Sequence, residues 1–135
     1  MNKKKKSIIG FTVFCVLIVG TIVYLNIPKS LSAFYDTDEP IDKVYLMSGN
    51  TGDSVVLNQE QQLKIQDYLD KIKVRRNFFK EPSGGWVYRV QIMQGDKCLD
   101  IVFAGENCDV NGKNYLVKDE EIVSEFLQYC RTIVQ

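Results

Sequence analysis

The chain has 135 residues, with 17 basic and 17 acidic side chains and no histidine. The absence of histidine excludes the usual general base of serine and cysteine hydrolases, and it excludes zinc sites that use histidine ligands. The net charge of zero conceals an uneven distribution of basic and acidic residues along the chain. Residues 1–29 carry five lysines and no acid, so residues 30–135 carry 12 basic and 17 acidic side chains, a net charge of −5. An acidic domain repels polyanionic nucleic acid, and we therefore expect no nucleic-acid partner.

The first predicted element is a transmembrane helix over residues 7–27. No charged residue lies between Ile8 and Leu25, and a helix needs about 20 apolar residues to cross a bilayer. The lysine-rich segment 1–6 predicts a cytoplasmic N-terminus, and hence a single-pass cell-membrane protein whose C-terminal domain is extracellular. We interpret the helix as a retained anchor, because it exceeds a signal-peptide core in length and "LSA" at residues 31–33 is a poor cleavage site. Cleavage remains the alternative.

Residues 28–41 are predicted to form a solvated tether between the anchor and the domain. Pro28 ends the helix, and three acids follow at Asp36, Asp38 and Glu39. The extracytoplasmic domain is assigned to residues 42–135.

The domain is predicted to begin with a hairpin over residues 43–57, in which "KVYLM" and "SVVLN" flank the turn-forming "SGNTGD". Asn58 and Gln61 then form a capping-box pattern, which predicts a helix from residue 59 to residue 73. Asp67 and Lys71 are four residues apart on this helix and predict a surface ion pair.

The second half of the domain predicts four strands and a helix. "WVYRVQIM" alternates, so that Trp86 shares one face with Tyr88, Val90 and Ile92. "KCLDIVFA" alternates again, and two short strands flank Asn111-Gly112, a strong signal for a hairpin turn. Asp119 is predicted to cap a C-terminal helix with a strongly apolar face.

The predicted element order is therefore ββαββββα. Strands and helices do not alternate singly, which argues against a parallel sheet. We predict an α+β domain of two layers, an antiparallel sheet with both helices on one face, preceded by the transmembrane helix.

The stretch "RRNFFKEPSGGW" from Arg75 to Trp86 has two interpretations. It lies where the first helix must connect to the next strand, and a plain connection explains its proline and glycines. If its aromatic residues face solvent, it is instead a surface for a partner. The candidate partner-contact residues are Arg76, Phe78, Phe79, Lys80 and Trp86.

The sequence predicts no catalytic residue, no metal site and no cofactor. Cys130 lies on an apolar helix face, where a thiol is inert, and the odd count of three cysteines after residue 27 cannot pair completely within one chain. "DVNGKN" at residues 109–114 is explained by the hairpin turn rather than by a calcium loop. We therefore expect a protein that is not an enzyme.

In plan, the chain resembles uncharacterised small exported proteins of Gram-positive bacteria. The shared features are the lysine-rich start, the uncleaved anchor, "VVLN" followed by an amphipathic helix, and the "WVYRVQI" strand. The resemblance implies a single-pass anchor carrying one α+β domain of unknown function, and it transfers no functional residue.

Three functions remain open at the level of sequence. The first is a non-enzymatic, membrane-anchored extracytoplasmic binding or regulatory module, held in the lipid bilayer by residues 7–27, with an envelope protein or peptide as partner. The second is an immunity or inhibitor protein directed against a toxin or hydrolase, a role that an acidic domain suits when the target is basic. The third is an envelope hydrolase that uses only carboxylates.

Overall fold

The computed structural model of this chain describes residues 2–78 and 85–134. Its three helices are α1 (Lys3–Asn26), α2 (Gln59–Lys71) and α3 (Glu120–Ile133), and a single 3-10 turn covers Leu31–Phe34. Its strands are β1 (Lys29–Ser30), β2 (Lys43–Ser48), β3 (Ser54–Val56), β4 (Lys73–Arg76), β5 (Tyr88–Gln94), β6 (Lys97–Ala104), β7 (Asn107–Val110) and β8 (Lys113–Val117).

The strands form one antiparallel sheet in the order β1-β4-β8-β7-β6-β5-β2-β3. Helices α2 and α3 pack on the same face, since their buried residues and those of the sheet belong to one core. The predicted α+β class, with an apolar N-terminal helix ahead of the sheet and two helices, is therefore confirmed. The sheet has eight strands where the sequence predicted six, because β1 and β4 were not foreseen.

Local sequence signals explain most of the strands. In β5, residues alternate strictly between buried and half-buried, with Tyr88, Val90 and Ile92 on the core face. At the predicted hairpin, Asn111 and Gly112 have φ angles of 50° and 83°. Positive φ at both central residues is the requirement of a tight hairpin turn, and asparagine and glycine meet it at the lowest cost.

The helix caps also follow the sequence. The Asn58 side chain accepts a hydrogen bond from the Gln61 amide at 2.9 Å, and the Gln61 side chain accepts one from the Asn58 amide at 3.0 Å. Asp119 caps α3 by accepting from two backbone amides of its first turn. The predicted Asp67–Lys71 pair forms, with 2.9 Å between carboxylate and ammonium. These contacts fix where both helices begin and leave their apolar faces toward the sheet.

The prediction of a solvated tether over residues 28–41 is wrong for its first part. Leu31 is fully buried in the core, and its amide donates a hydrogen bond to the Ile72 carbonyl at 3.0 Å. Lys29 and Ser30 pair with β4 as an edge strand. The chain therefore enters the domain within a few residues of the end of α1.

The predicted helix over residues 59–73 ends earlier, at Lys71, and the chain returns to the sheet as β4. Ile72 and Val74 are buried while Lys73 and Arg75 are exposed, which is the period of a strand rather than of a helix. As a result Arg75 and Arg76 lie in a strand, and the connection that follows joins β4 to β5.

Helix α1 is the one helix in the described part of the chain that is long and apolar enough to cross a membrane. Its 24 residues include none that is buried. Its apolar side chains are therefore available to a lipid environment and contribute nothing to the core of the domain.

Candidate functional site

Of the five candidate contact residues, the structure describes Arg76, Phe78 and Trp86. Arg76 and Phe78 lie at the proximal end of the sheet, which we define by the turns at residues 95–96 and 111–112. The Arg76 guanidinium lies 5.2 Å from the centre of the Phe78 ring, and 56% of Phe78 is exposed. Phe78 thus faces solvent, whereas Phe79 and Lys80 lie outside the described residues.

Trp86 lies at the distal end of the sheet, which we define by the turns at residues 49–53 and 105–106. Its backbone carbonyl approaches Gly49 so closely that a side chain at position 49 would collide with it. Its half-buried ring packs against the Arg89 guanidinium at 5.3 Å, and Arg89 in turn lies 3.3 Å from Asp100. Trp86 therefore lies at the opposite end of the sheet from Arg76.

The separation of these two groups follows from the sheet order. Strands β8, β7 and β6 lie between β4, which leads to Arg76, and β5, which follows Trp86. Four strand spacings of about 4.8 Å place the two strands roughly 19 Å apart. Arg76 and Trp86 therefore lie at opposite ends of the sheet and on opposite sides of three intervening strands.

A groove of about 510 Å³ lies between α3 and the distal end of the sheet. We call it the α3 groove. One wall is a stripe of α3 and the other is formed by β5 and the distal turns. It is lined by Asn50, Val87, Tyr88, Gly105, Glu106, Val117, Glu120, Val123, Ser124, Leu127, Gln128 and Arg131.

The helical wall of the groove is regular. Glu120, Ser124, Gln128 and Arg131 recur at intervals of three and four residues, and Leu127 lies three residues after Ser124, so they share one side of α3. The apolar residues Val123 and Phe126 point to the core from the adjacent side of the same helix. The groove is therefore the exposed flank of a helix whose other flank holds the domain together.

The charges in the groove are arranged along its length. Glu106 and Glu120 lie near the N-terminal end of α3, and Arg131 lies near its C-terminal end. Tyr88 also lines the groove, and its hydroxyl donates a 3.5 Å hydrogen bond to the carbonyl of Val134, just after α3. A ligand in the groove would meet negative charge at one end and positive charge at the other.

The thiols offer no nucleophile to this site. Burial raises the pKa of Cys130 to about 12, and burial followed by the negative charge of Asp109 raises the pKa of Cys108 well above its ordinary value. A raised pKa keeps a thiol protonated at neutral pH, and a protonated thiol is a poor nucleophile. Cys98 is exposed, and all four cysteines are free.

We expect a water-soluble disulfide reagent at pH 8 to label Cys98 within minutes and to label Cys108 and Cys130 only as the domain unfolds. The reason is that both buried thiols are inaccessible and protonated. Thiol counting by mass spectrometry in a Cys15→Ser background measures this, and Cys98→Ser should abolish the fast phase. A second fast thiol in the folded protein would contradict the burial of Cys108 and Cys130.

Sequence reasoning missed the α3 groove because its lining comes from five separate segments. One signal was present in the sequence: Glu120, Ser124, Gln128 and Arg131 form a polar stripe beside the apolar face of the last helix. Such a stripe is also what any solvent-exposed helix shows. The stripe forms one wall of a groove because the distal turns contribute the facing wall.

No protein-family model matches the chain, and no curated protein matches it. Among solved structures, it is similar to a crystal structure described as that of a "Putative Lipoprotein from Clostridium perfringens". The two share 20% sequence identity with a TM-score of 0.49, over 69% of this chain and 85% of that chain.

Proposed function

We propose that this chain is a non-enzymatic binding module, anchored by α1 in the cell membrane with its α+β domain outside the cytoplasm, which binds a peptide segment of an envelope protein in the α3 groove. The observation that carries the proposal is the groove itself. Its volume of about 510 Å³ lies within the range of about 300–1,000 Å³ that is usual for ligand sites. Its walls combine opposite charges with apolar surface.

The connection between α1 and the domain supports a retained anchor. Cleavage after Ala33 would remove β1 and the fully buried Leu31 from the folded domain. A processing site that removes core residues is a poor one. The lysines of residues 1–6 support the proposed orientation, since basic segments stay on the cytoplasmic side.

The dimensions of the groove favour an extended peptide. From Glu120 to Arg131 the helix rises by roughly 16 Å, a length that an extended peptide of about five residues spans. Leu127 offers apolar contact midway along this wall. The charge arrangement favours a segment whose basic or amino-terminal end lies toward Glu106 and Glu120 and whose acidic or carboxyl-terminal end lies toward Arg131.

The carboxylate-hydrolase alternative rests on Glu106 and Glu120, which line the same groove. Both are exposed. Glu120 has a structural explanation, because an acid in the first turn of a helix interacts favourably with the helix dipole. A role for Glu106 and Glu120 in ligand binding, without catalysis, is therefore the simpler interpretation. An immunity role is a special case of the same proposal, in which the bound peptide belongs to a toxin.

A photo-crosslinking side chain at Gln128 in the full-length chain should capture one envelope protein in intact cells. The Arg131→Glu change should lower the captured amount at least fivefold, because it makes the groove negative at both ends. The yield is measured by immunoblotting, and the crosslinked peptide is identified by mass spectrometry.

The matched control for this experiment is Arg75→Glu, an equal charge change at an exposed arginine on β4. It should leave the captured amount unchanged. A crosslinker at the exposed Asp96, on the proximal turn, should capture nothing specific. Equal capture with the Arg131 and Arg75 variants would refute peptide binding in the α3 groove.

A further inference from the structure

A second groove, of about 370 Å³, lies between the last turns of α1 and the β4–β8 corner of the domain. We call it the juxtamembrane groove. The anchor contributes Tyr24, Leu25 and Ile27, the domain contributes Arg76, Lys113 and Tyr115, and Lys29 joins the two. One wall is therefore aromatic and aliphatic and the other is cationic.

The three cations of this groove have no acidic partner among the described residues. The ion pairs there join Lys71 to Asp67, Arg89 to Asp100 and Lys97 to Glu39. None of them involves Lys29, Arg76 or Lys113. Three like charges are thus gathered at one corner, although residues 30–135 as a whole carry a net charge of −5.

Arg76 is held in place rather than free to swing into solvent. Its Nη1 donates a hydrogen bond to the Asn114 carbonyl at 2.6 Å. Its guanidinium lies 5.5 Å from the Tyr115 ring centre and 5.2 Å from the Phe78 ring centre. Lys29 is similarly placed, with its ammonium 4.8 Å from the Phe34 ring centre. Positioned cations lose less entropy on binding an anion than mobile ones.

The anchor fixes the level of the groove relative to the bilayer. Tyr24 lies in the last turn of α1, which ends at Asn26, and tyrosine is enriched where membrane helices leave the hydrocarbon. Leu25 and Ile27 continue the apolar surface of the helix into the groove. The cations therefore lie where lipid phosphates lie, and the aliphatic wall lies where acyl chains begin.

We propose that the juxtamembrane groove binds the phosphate of an anionic phospholipid in the outer leaflet of the membrane that α1 spans. This proposal rests on the anchoring proposed above. Three cations exceed the charge of one phosphate, which favours an anionic headgroup over a zwitterionic one. The net negative charge of the domain does not prevent this, because charges beyond a Debye length of about 8 Å are largely screened.

The test uses the full-length chain in nonionic detergent, titrated with phosphatidylglycerol or phosphatidylcholine and observed by native mass spectrometry. We expect one phosphatidylglycerol to be retained per chain, with an affinity about tenfold above that for phosphatidylcholine. The Lys29→Gln/Lys113→Gln variant should lose about tenfold in affinity for phosphatidylglycerol. Inorganic phosphate should not displace the lipid, since it lacks the acyl chains that the aliphatic wall contacts.

The matched control is Lys64→Gln/Lys118→Gln, which removes two exposed lysines elsewhere in the domain and should leave the affinity unchanged. Equal binding of the two lipids, an equal loss in the control, or displacement by inorganic phosphate would each overturn the lipid site. Carbonate extraction of membranes distinguishes failure of the lipid site from failure of the anchor. A chain that resists extraction without lipid selectivity refutes only the groove, whereas a chain that is extracted refutes the anchor.

Discussion

Replacing Phe126 with alanine should lower the free energy of unfolding by about 3–5 kcal/mol, the usual loss for a large aromatic residue removed from a core. Phe126 is fully buried on α3. Its ring centre lies 4.8 Å from that of Phe103 on β6 and 5.6 Å from that of Tyr68 on α2. The side chain therefore joins both helices to the middle of the sheet, and a cavity there would weaken three elements at once.

Thermal unfolding of the full-length chain in nonionic detergent measures this loss, followed by near-ultraviolet circular dichroism and by the fluorescence of the single tryptophan, Trp86. Phe78→Ala is the matched control. It removes the same side chain from a position that is 56% exposed, and it should change stability by no more than about 0.5 kcal/mol. Similar losses at the two positions would contradict the described core.

The elements that could be predicted from sequence are those specified by local chemistry. Asn58 and Gln61 fix the start of α2 through their own hydrogen bonds, and Asn111-Gly112 fixes a hairpin through its positive φ angles. The alternation in β5 needs only the two faces of a strand. Such signals involve residues close in sequence, so they can be read without knowing the fold.

Strand β4 could not be predicted because the helical period of α2 and the two-residue period of a strand overlap at its start. Ile72 fits the apolar face of α2, yet it is also buried as the residue before β4. Residues 73–76 form a strand because they pair with β8, in which Leu116 and Val117 lie opposite Arg75 and Val74. The paired residues are more than 40 positions apart in sequence, so no local pattern indicates the pairing.

The candidate site was harder to predict than the fold, because a groove depends on where distant segments meet. Arg76 and Trp86 are ten residues apart in sequence, yet three strands separate β4, which ends at Arg76, from β5, which follows Trp86. Conversely, Lys29 and Lys113 are far apart in sequence and line one groove. Adjacency in "RRNFFKEPSGGW" suggested a compact patch, whereas the sheet order places Arg76 and Trp86 at opposite ends of the sheet.

The second large effect is expected at Leu31, which lies where the chain passes from the anchor into the domain. Leu31→Ala should lower the free energy of unfolding by about 2–5 kcal/mol, since the side chain is fully buried. A residue in a solvated tether would give a change of no more than about 0.5 kcal/mol. The same thermal measurement in detergent distinguishes the two cases, because only a packed segment is coupled to the unfolding of the domain.

The matched control is Leu17→Ala, the same change in the middle of α1, where 63% of the side chain is exposed to the surroundings of the helix. It should leave the unfolding of the domain unchanged. Loss of stability at Leu31 alone would mean that the domain is held close to the anchor, since the five peptide steps from Asn26 to Leu31 span at most about 18 Å. If α1 spans the membrane as proposed, that restraint would keep Lys29, Arg76 and Lys113 at the level of the lipid phosphates. If Leu31→Ala is neutral, the domain is free to move away from the membrane, and the juxtamembrane groove loses one of its walls.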